Sequence, residues 1–129
     1  QKLFRFYSAS ILNSQSAMCV RFNRAGNLIL ALRRRMSPVL YDIRSPYPLV
    51  EFESEDYYNS CTLKNCSFLG ENDQFVASGS DNFKIYIWKI PDQIFNDSSR
   101  ENPLNTSSIH HVPHAQQILN GHRFYRGLL

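Results

Sequence analysis

Alanine is scarce in this chain, glycine occurs 5 times in 129 residues, and there is a single tryptophan. With 9 phenylalanines, 7 tyrosines and abundant isoleucine and valine, the composition disfavours helix and favours strand. The glycines, Gly26, Gly70, Gly79, Gly121 and Gly127, stand singly, so there is no glycine-rich loop to cradle a phosphate. No apolar run approaches the roughly 20 residues of a membrane helix, and the first residues lack the basic, apolar and small-residue layout of a secretory signal. A soluble chain without a membrane partner is expected.

Cysteine is also sparse. Cys19, Cys61 and Cys66 are an odd count, and no two have the C-x-x-C spacing of zinc or redox sites. Two lie in apolar, strand-like runs, as inert core residues do, which points to a reducing compartment, the nucleus or cytoplasm. Charge is nearly balanced, with 14 Lys and Arg against 11 Asp and Glu, so net charge alone does not imply nucleic acid.

What the chain does have is an internal repeat. Met18-Cys19-Val20-Arg21-Phe22, a turn at Asn23 to Asn27, Leu28 to Leu32, a basic turn, and Val39-Leu40-Tyr41-Asp42-Ile43 make one unit. Asn65-Cys66-Ser67-Phe68, a turn at Gly70 to Asp73, Phe75 to Gly79, a turn at Ser80 to Phe83, and Ile85-Tyr86-Ile87-Trp88-Lys89-Ile90 make a second. Phe22 to Phe68 is a step of about 46 residues and Tyr41 to Trp88 about 47, near the period of a propeller repeat. Short alternating runs between Gly, Asn, Asp and Ser turns suit a four-stranded antiparallel meander.

The fourth strands are expected at Leu49 to Phe52 and Gln116 to Leu119. The polar stretch from about Pro91 to His114 reads as a loop inserted within the second unit. The expected organisation is a first blade over 18–52, a second over 62–119, and the start of another repeat over 120–129 that departs from the pattern. Leu3 to Tyr7 would be the last strand of a preceding blade. Two blades leave open edges, so the piece by itself is expected to be marginally stable.

Ser78-Gly79-Ser80-Asp81 followed by Ile85-Tyr86-Ile87-Trp88, with Gly121-His122 beyond, resembles the WD-repeat pattern. The resemblance covers residues 18 to 122 and implies an all-β fold, a partial WD-repeat propeller. It also implies a buried hydrogen-bond network of Ser78, Asp81 and Trp88, completed in the family by a His that is missing near Tyr57 to Asn59. The first unit departs further, with Tyr41 in place of Trp and Arg34 or Arg35 in place of the turn Asp.

Tyr41-Asp42-Ile43-Arg44 is similar to the W/Y-D-x-R ending of WD-repeat substrate receptors of cullin-4 RING ubiquitin ligases. The run from Leu30 through Ile43, with Asn59-Ser60-Cys61-Thr62 and Trp88-Lys89-Ile90-Pro91, is similar to one DCAF-type subgroup of them. The resemblance implies that Tyr41, Asp42 and Arg44 dock on the propeller adaptor of the ligase, where a planar guanidinium fork suits an acidic or polar site. It further implies an unknown target as second partner. The upstream half of the receptor signature has Leu32, Arg33 and Arg35 where small residues and an acid are usual. Local pairing of Asp42 with Arg44 as a strand cap is the competing explanation.

Other constellations carry little chemistry. Ser80-Asp81-Asn82 is the tripeptide of serine β-lactamases, but no S-x-x-K element accompanies it, and Asp and Asn suit a hairpin turn. His110, His111 and His114 lack the Glu of an H-E-x-x-H arrangement, and Val112-Pro113 argues against a helix that would align them on a metal. Arg33, Arg34 and Arg35 could form a basic patch for nucleic acid or acidic protein segments, although no stacking platform of aromatics accompanies it. No nucleophile, acid-base pair or cofactor site is evident. A non-catalytic scaffold is expected, either the ligase receptor or a WD-repeat protein without a ligase role that binds through its arginine turn.

Overall fold

The computed structural model describes residues 17–61, 63–96 and 109–120. Strands β1 (Ala17–Phe22), β2 (Leu28–Arg33), β3 (Val39–Asp42) and β4 (Pro48–Phe52) form one antiparallel meander. Strands β5 (Cys66–Leu69), β6 (Phe75–Gly79) and β7 (Ile85–Lys89) start a second, which β8 (His110–Val112) does not join and β9 (Gln117–Leu119) completes. A 3₁₀ turn at Asp92–Phe95 follows β7 and buries Ile94.

Local chemistry sets the hairpins. The Asn23 carboxamide oxygen accepts from the amides of Asn27 and Leu28, each at 3.0 Å, so one side chain closes the β1–β2 turn while Gly26 supplies its positive φ of 73°. Arg35 takes a φ of 62° without being glycine, held by its amide donating to the Asn59 carbonyl at 3.2 Å.

The two sheets share one core. Leu28, Leu30, Leu32, Leu40, Val50 and Phe52 of the first meet Cys66, Val76, Tyr86, Trp88, Ile90 and Ile94 of the second. All but Ile90 and Ile94, which follow β7, are strand residues at even-numbered positions on one face of their strands, as the two-residue period of a strand requires. On the opposite face of the first sheet, Ile29, Ala31, Val39 and Tyr41 are buried together. The matching face of the second sheet, around Ala77, Gly79 and Ile85, opens into a groove of about 780 Å³.

The stretch expected to be a loop holds a strand. β8 lies parallel to β4, with His110 opposite Val50, His111 opposite Glu51 and Val112 opposite Phe52, and gives the first sheet a fifth strand. Val112 packs against the shared core, and Pro113, which has no amide to donate, ends the strand. The Gln116 amide then donates to the Ile87 carbonyl at 2.8 Å and β9 follows β7 antiparallel. Residues 109–120 therefore stitch the outer edges of both blades. The strand expected at Leu3 to Tyr7, the Gly121-His122 pair and the rest of 120–129 after Asn120 lie outside the described residues.

Candidate functional site

The corner after β3 holds the docking residues expected from sequence. Tyr41 and Asp42 are buried, and burial pushes the Tyr41 phenol pKa up against the opposing pull of Arg33. The turn is tied by the Ser45 amide donating to the Asp42 carbonyl at 3.0 Å and the Ile43 amide donating to the Asn27 carbonyl at 3.2 Å. One Asp42 carboxylate oxygen accepts from the Arg44 amide at 2.8 Å and from its Nε at 3.0 Å, and the other accepts from Nη2 at 2.8 Å. This is the two-pronged geometry that only a guanidinium supplies. The Asp42 side chain is 2% exposed and that of Arg44 53%, so a buried carboxylate holds a half-exposed cation at the blade's corner.

β2 and β3 run in opposite directions, so the Arg33 to Arg35 turn sits at the other end of the blade. The structure divides that run. Arg33 is a buried strand residue, Arg34 is exposed with its Nε donating to the Ser60 carbonyl at 3.1 Å, and Arg35 is exposed at the left-handed turn position.

Ser78, Asp81 and Trp88 are each engaged, but by different groups. The Trp88 Nε1 donates to the Glu53 carbonyl at 2.7 Å, while its ring lies 5.9 Å from Phe52, 5.4 Å from Tyr57 and 5.9 Å from Tyr86. Ser78 pairs with the Tyr57 hydroxyl at 2.9 Å. Asp81 accepts from the amides of Ser60 at 2.6 Å and Cys61 at 3.0 Å and forms an ion pair with Lys64 at 2.5 Å. Desolvation opposes the Asp81 charge, yet Lys64 and the two amides outweigh it and hold the carboxyl well below the usual carboxylate range.

Two residues of the network escape recognition from sequence. Tyr57 stands in the region where the family's His is missing, and burial pushes its phenol up to about 12 despite hydrogen bonds from Ser78 and Asn59. Asn59, 1% exposed, donates from Nδ2 to the carbonyls of Arg33 at 3.0 Å and Met36 at 3.1 Å and to the Tyr57 hydroxyl at 3.1 Å. It fastens the first blade's basic turn to the loop entering the second. The signal was the gap itself: a network one member short needs a substitute with a hydroxyl or amide at that place.

Of the three cysteines, Cys66 is buried in the shared core, which pushes its thiol up to about 12, and Cys61 is exposed in the loop before β5. The three histidines do not come together, as the sequence reading against a shared metal site expects. His110 is opposite Val50 on β4, and His114 lies beyond the strand in solvent.

Two adjacent blades on a shared core, with a Trp at the end of the third strand and an Asp in the turn before it, make a partial β-propeller. The chain is 58% identical over 80 residues to DDB1- and CUL4-associated factor 5 of Mus musculus and 56% identical to that of Homo sapiens. Those matches span 62% of this chain and 8% of each relative, so the chain represents a small part of their length. It is 33% identical over 66 residues to the WD repeat protein iqw1 of Schizosaccharomyces pombe, which covers 49% of this chain and 8% of that protein. The propeller structure of Kluyveromyces lactis Hsv2p superposes with a TM-score of 0.57 at 13% identity, covering 88% of this chain and 34% of that one. No family model matches the chain.

Proposed function

We propose that this chain is a propeller segment of a substrate receptor for a cullin-4 RING ubiquitin ligase, a non-catalytic scaffold that docks on the ligase adaptor through the corner of Tyr41, Asp42 and Arg44. The observation that carries the reading is the Asp42–Arg44 fork. A buried carboxylate fixes the guanidinium before any partner arrives, so less side-chain freedom is lost on docking. The similarity to proteins named as DDB1- and CUL4-associated factors supports the same reading. The target would be held elsewhere on the disc, and ubiquitin transfer would be carried out by other subunits. Arg34 and Arg35, exposed at the end of the blade away from Arg44, suit an acidic segment of such a target.

The test is a pull-down of the parent protein with the cullin-4 adaptor, comparing wild type, Arg44→Ala and Arg44→Lys. Loss of binding is expected in both variants, because Lys keeps the charge without the fork. Equal binding by wild type and both variants overturns the docking corner. Removing Arg44 also strips a partner from buried Asp42, so thermal unfolding of each variant must accompany the binding data.

A further inference from the structure

The fifth strand brings together three side chains that the chain order keeps apart. Glu51 and Glu53 are two residues apart on and just beyond β4, so they share one face of the sheet, and His111 of β8 is the register partner of Glu51. The ligand-capable atoms of all three lie within 4.8 Å of one another.

The contact between His111 and Glu51 is a poor hydrogen bond. Nδ1 to Oε2 measures 3.6 Å, beyond the usual range for N–H to O. It is close to the separation of about 3.4 Å expected between two ligand atoms placed tetrahedrally around a metal at 2.0–2.2 Å. Glu51 is only 13% exposed, and His111 is its one ionic partner among the described residues. A carboxylate so far withdrawn from water is costly unless a cation compensates it.

The backbone around the cluster is fixed from both sides. The Glu53 amide donates to the Val112 carbonyl of β8 at 2.8 Å, and its own carbonyl accepts from Trp88 of the second blade. Val112 is packed against the core, so His111 is presented by a strand anchored at the next residue. Only the exposed side chains of Glu53 and His111 need to turn to close the set.

We infer that Glu51, Glu53 and His111 form a site for a divalent ion of the zinc class, with Glu51 and Glu53 as carboxylate ligands and His111 as the imidazole ligand. One imidazole and two carboxylates suit zinc better than calcium or magnesium, which prefer oxygen alone. A fourth position stays open to water. The ion adds a side-chain tie between β8 and β4, whose backbones are already paired, at the outer side of the first blade. The inference is independent of the adaptor-docking reading.

Equilibrium dialysis of the whole chain with Zn²⁺, against Ca²⁺ and Mg²⁺, tests it in wild type, Glu51→Gln, His111→Ala, and the controls His114→Ala and Cys61→Ser. One Zn²⁺ per chain is expected in wild type and both controls, with binding lost in Glu51→Gln and His111→Ala while their circular dichroism matches wild type. Hydrogen exchange should also slow at the Glu53 amide when Zn²⁺ is added to wild type, and not in His111→Ala. Failure of folded wild type to take up Zn²⁺, or undiminished uptake by both site variants, overturns the site.

Discussion

In the first blade every residue of β2 and β3 is buried, whereas in the second β6 alternates between buried and half-buried residues and β9 is exposed along its length. The meander is the same in both, so the difference lies in what surrounds each sheet. Leu28 to Leu32 is a continuous apolar run, the pattern of a strand covered on two faces. Phe75 to Gly79 is covered on the face of Val76 and Ser78 alone, and on the other side Leu63 and Phe83, 83% and 61% exposed, border the open groove. The outer edges differ as well: β8 caps the first, while β9 ends the second with Ile118 and Leu119 in solvent. A blade's stability is therefore set by its neighbours as much as by its own strands.

The sharpest way to break the comparison is to remove the side chain on which both blades converge. Trp88→Ala is expected to cost about 3–5 kcal/mol, as for other buried aromatics, because Trp88 is fully buried and also bridges to Glu53 of the first blade. Urea unfolding should show both blades melting together, and separate transitions would show that they are not coupled through it.

A smaller loss of about 1–2 kcal/mol is expected for Tyr57→Phe, which removes the hydroxyl shared by Ser78 and Asn59 but keeps the ring against Tyr86 and Trp88. Tyr57→His supplies the imidazole that the WD-repeat pattern has near Tyr57 to Asn59. If it unfolds at lower urea than Tyr57→Phe, the imidazole does not fit this variant of the network.

Acid should act on the joint between the blades. Asp81 binds its proton more weakly folded than unfolded, so its contribution is complete above the ordinary carboxylate pKa of about 3.9 and is lost as pH falls below that value. Asp81→Asn should lower stability at neutral pH and flatten the decline below about pH 4 that thermal melts of the wild type are expected to show. An unchanged acid limb would mean that other carboxylates govern it.

The smallest effects belong to the open side. Phe83→Ser and Leu63→Ser should change stability by less than about 0.5 kcal/mol while reducing self-association in light scattering, since both side chains are exposed. A larger loss would mean that the groove is part of the blade's core.

Much of this was readable in the sequence because it is local. The Asn23 and Gly26 turn and the alternation of β6 are each carried by residues within a few positions of one another, and the repeat step was readable because such local patterns recur. The Asp42–Arg44 pairing lay within the same reach, since the two residues are two positions apart, and the local explanation and the docking explanation share that geometry.

Tertiary structure decided what spans distance. Nothing in the polar stretch before β9 marks His110 to Val112 as a strand, because three residues carry no readable period and the partner strand lies about 60 positions earlier. The same holds for Tyr57 reaching Ser78 across 21 positions and for Arg33, a cation in a charge run that the sheet buries beside Tyr41. Composition and spacing determined that this chain makes propeller blades. Which edge was capped, which aromatic completed the network and which arginines remained in solvent depended on contacts that exist only once the two sheets have packed.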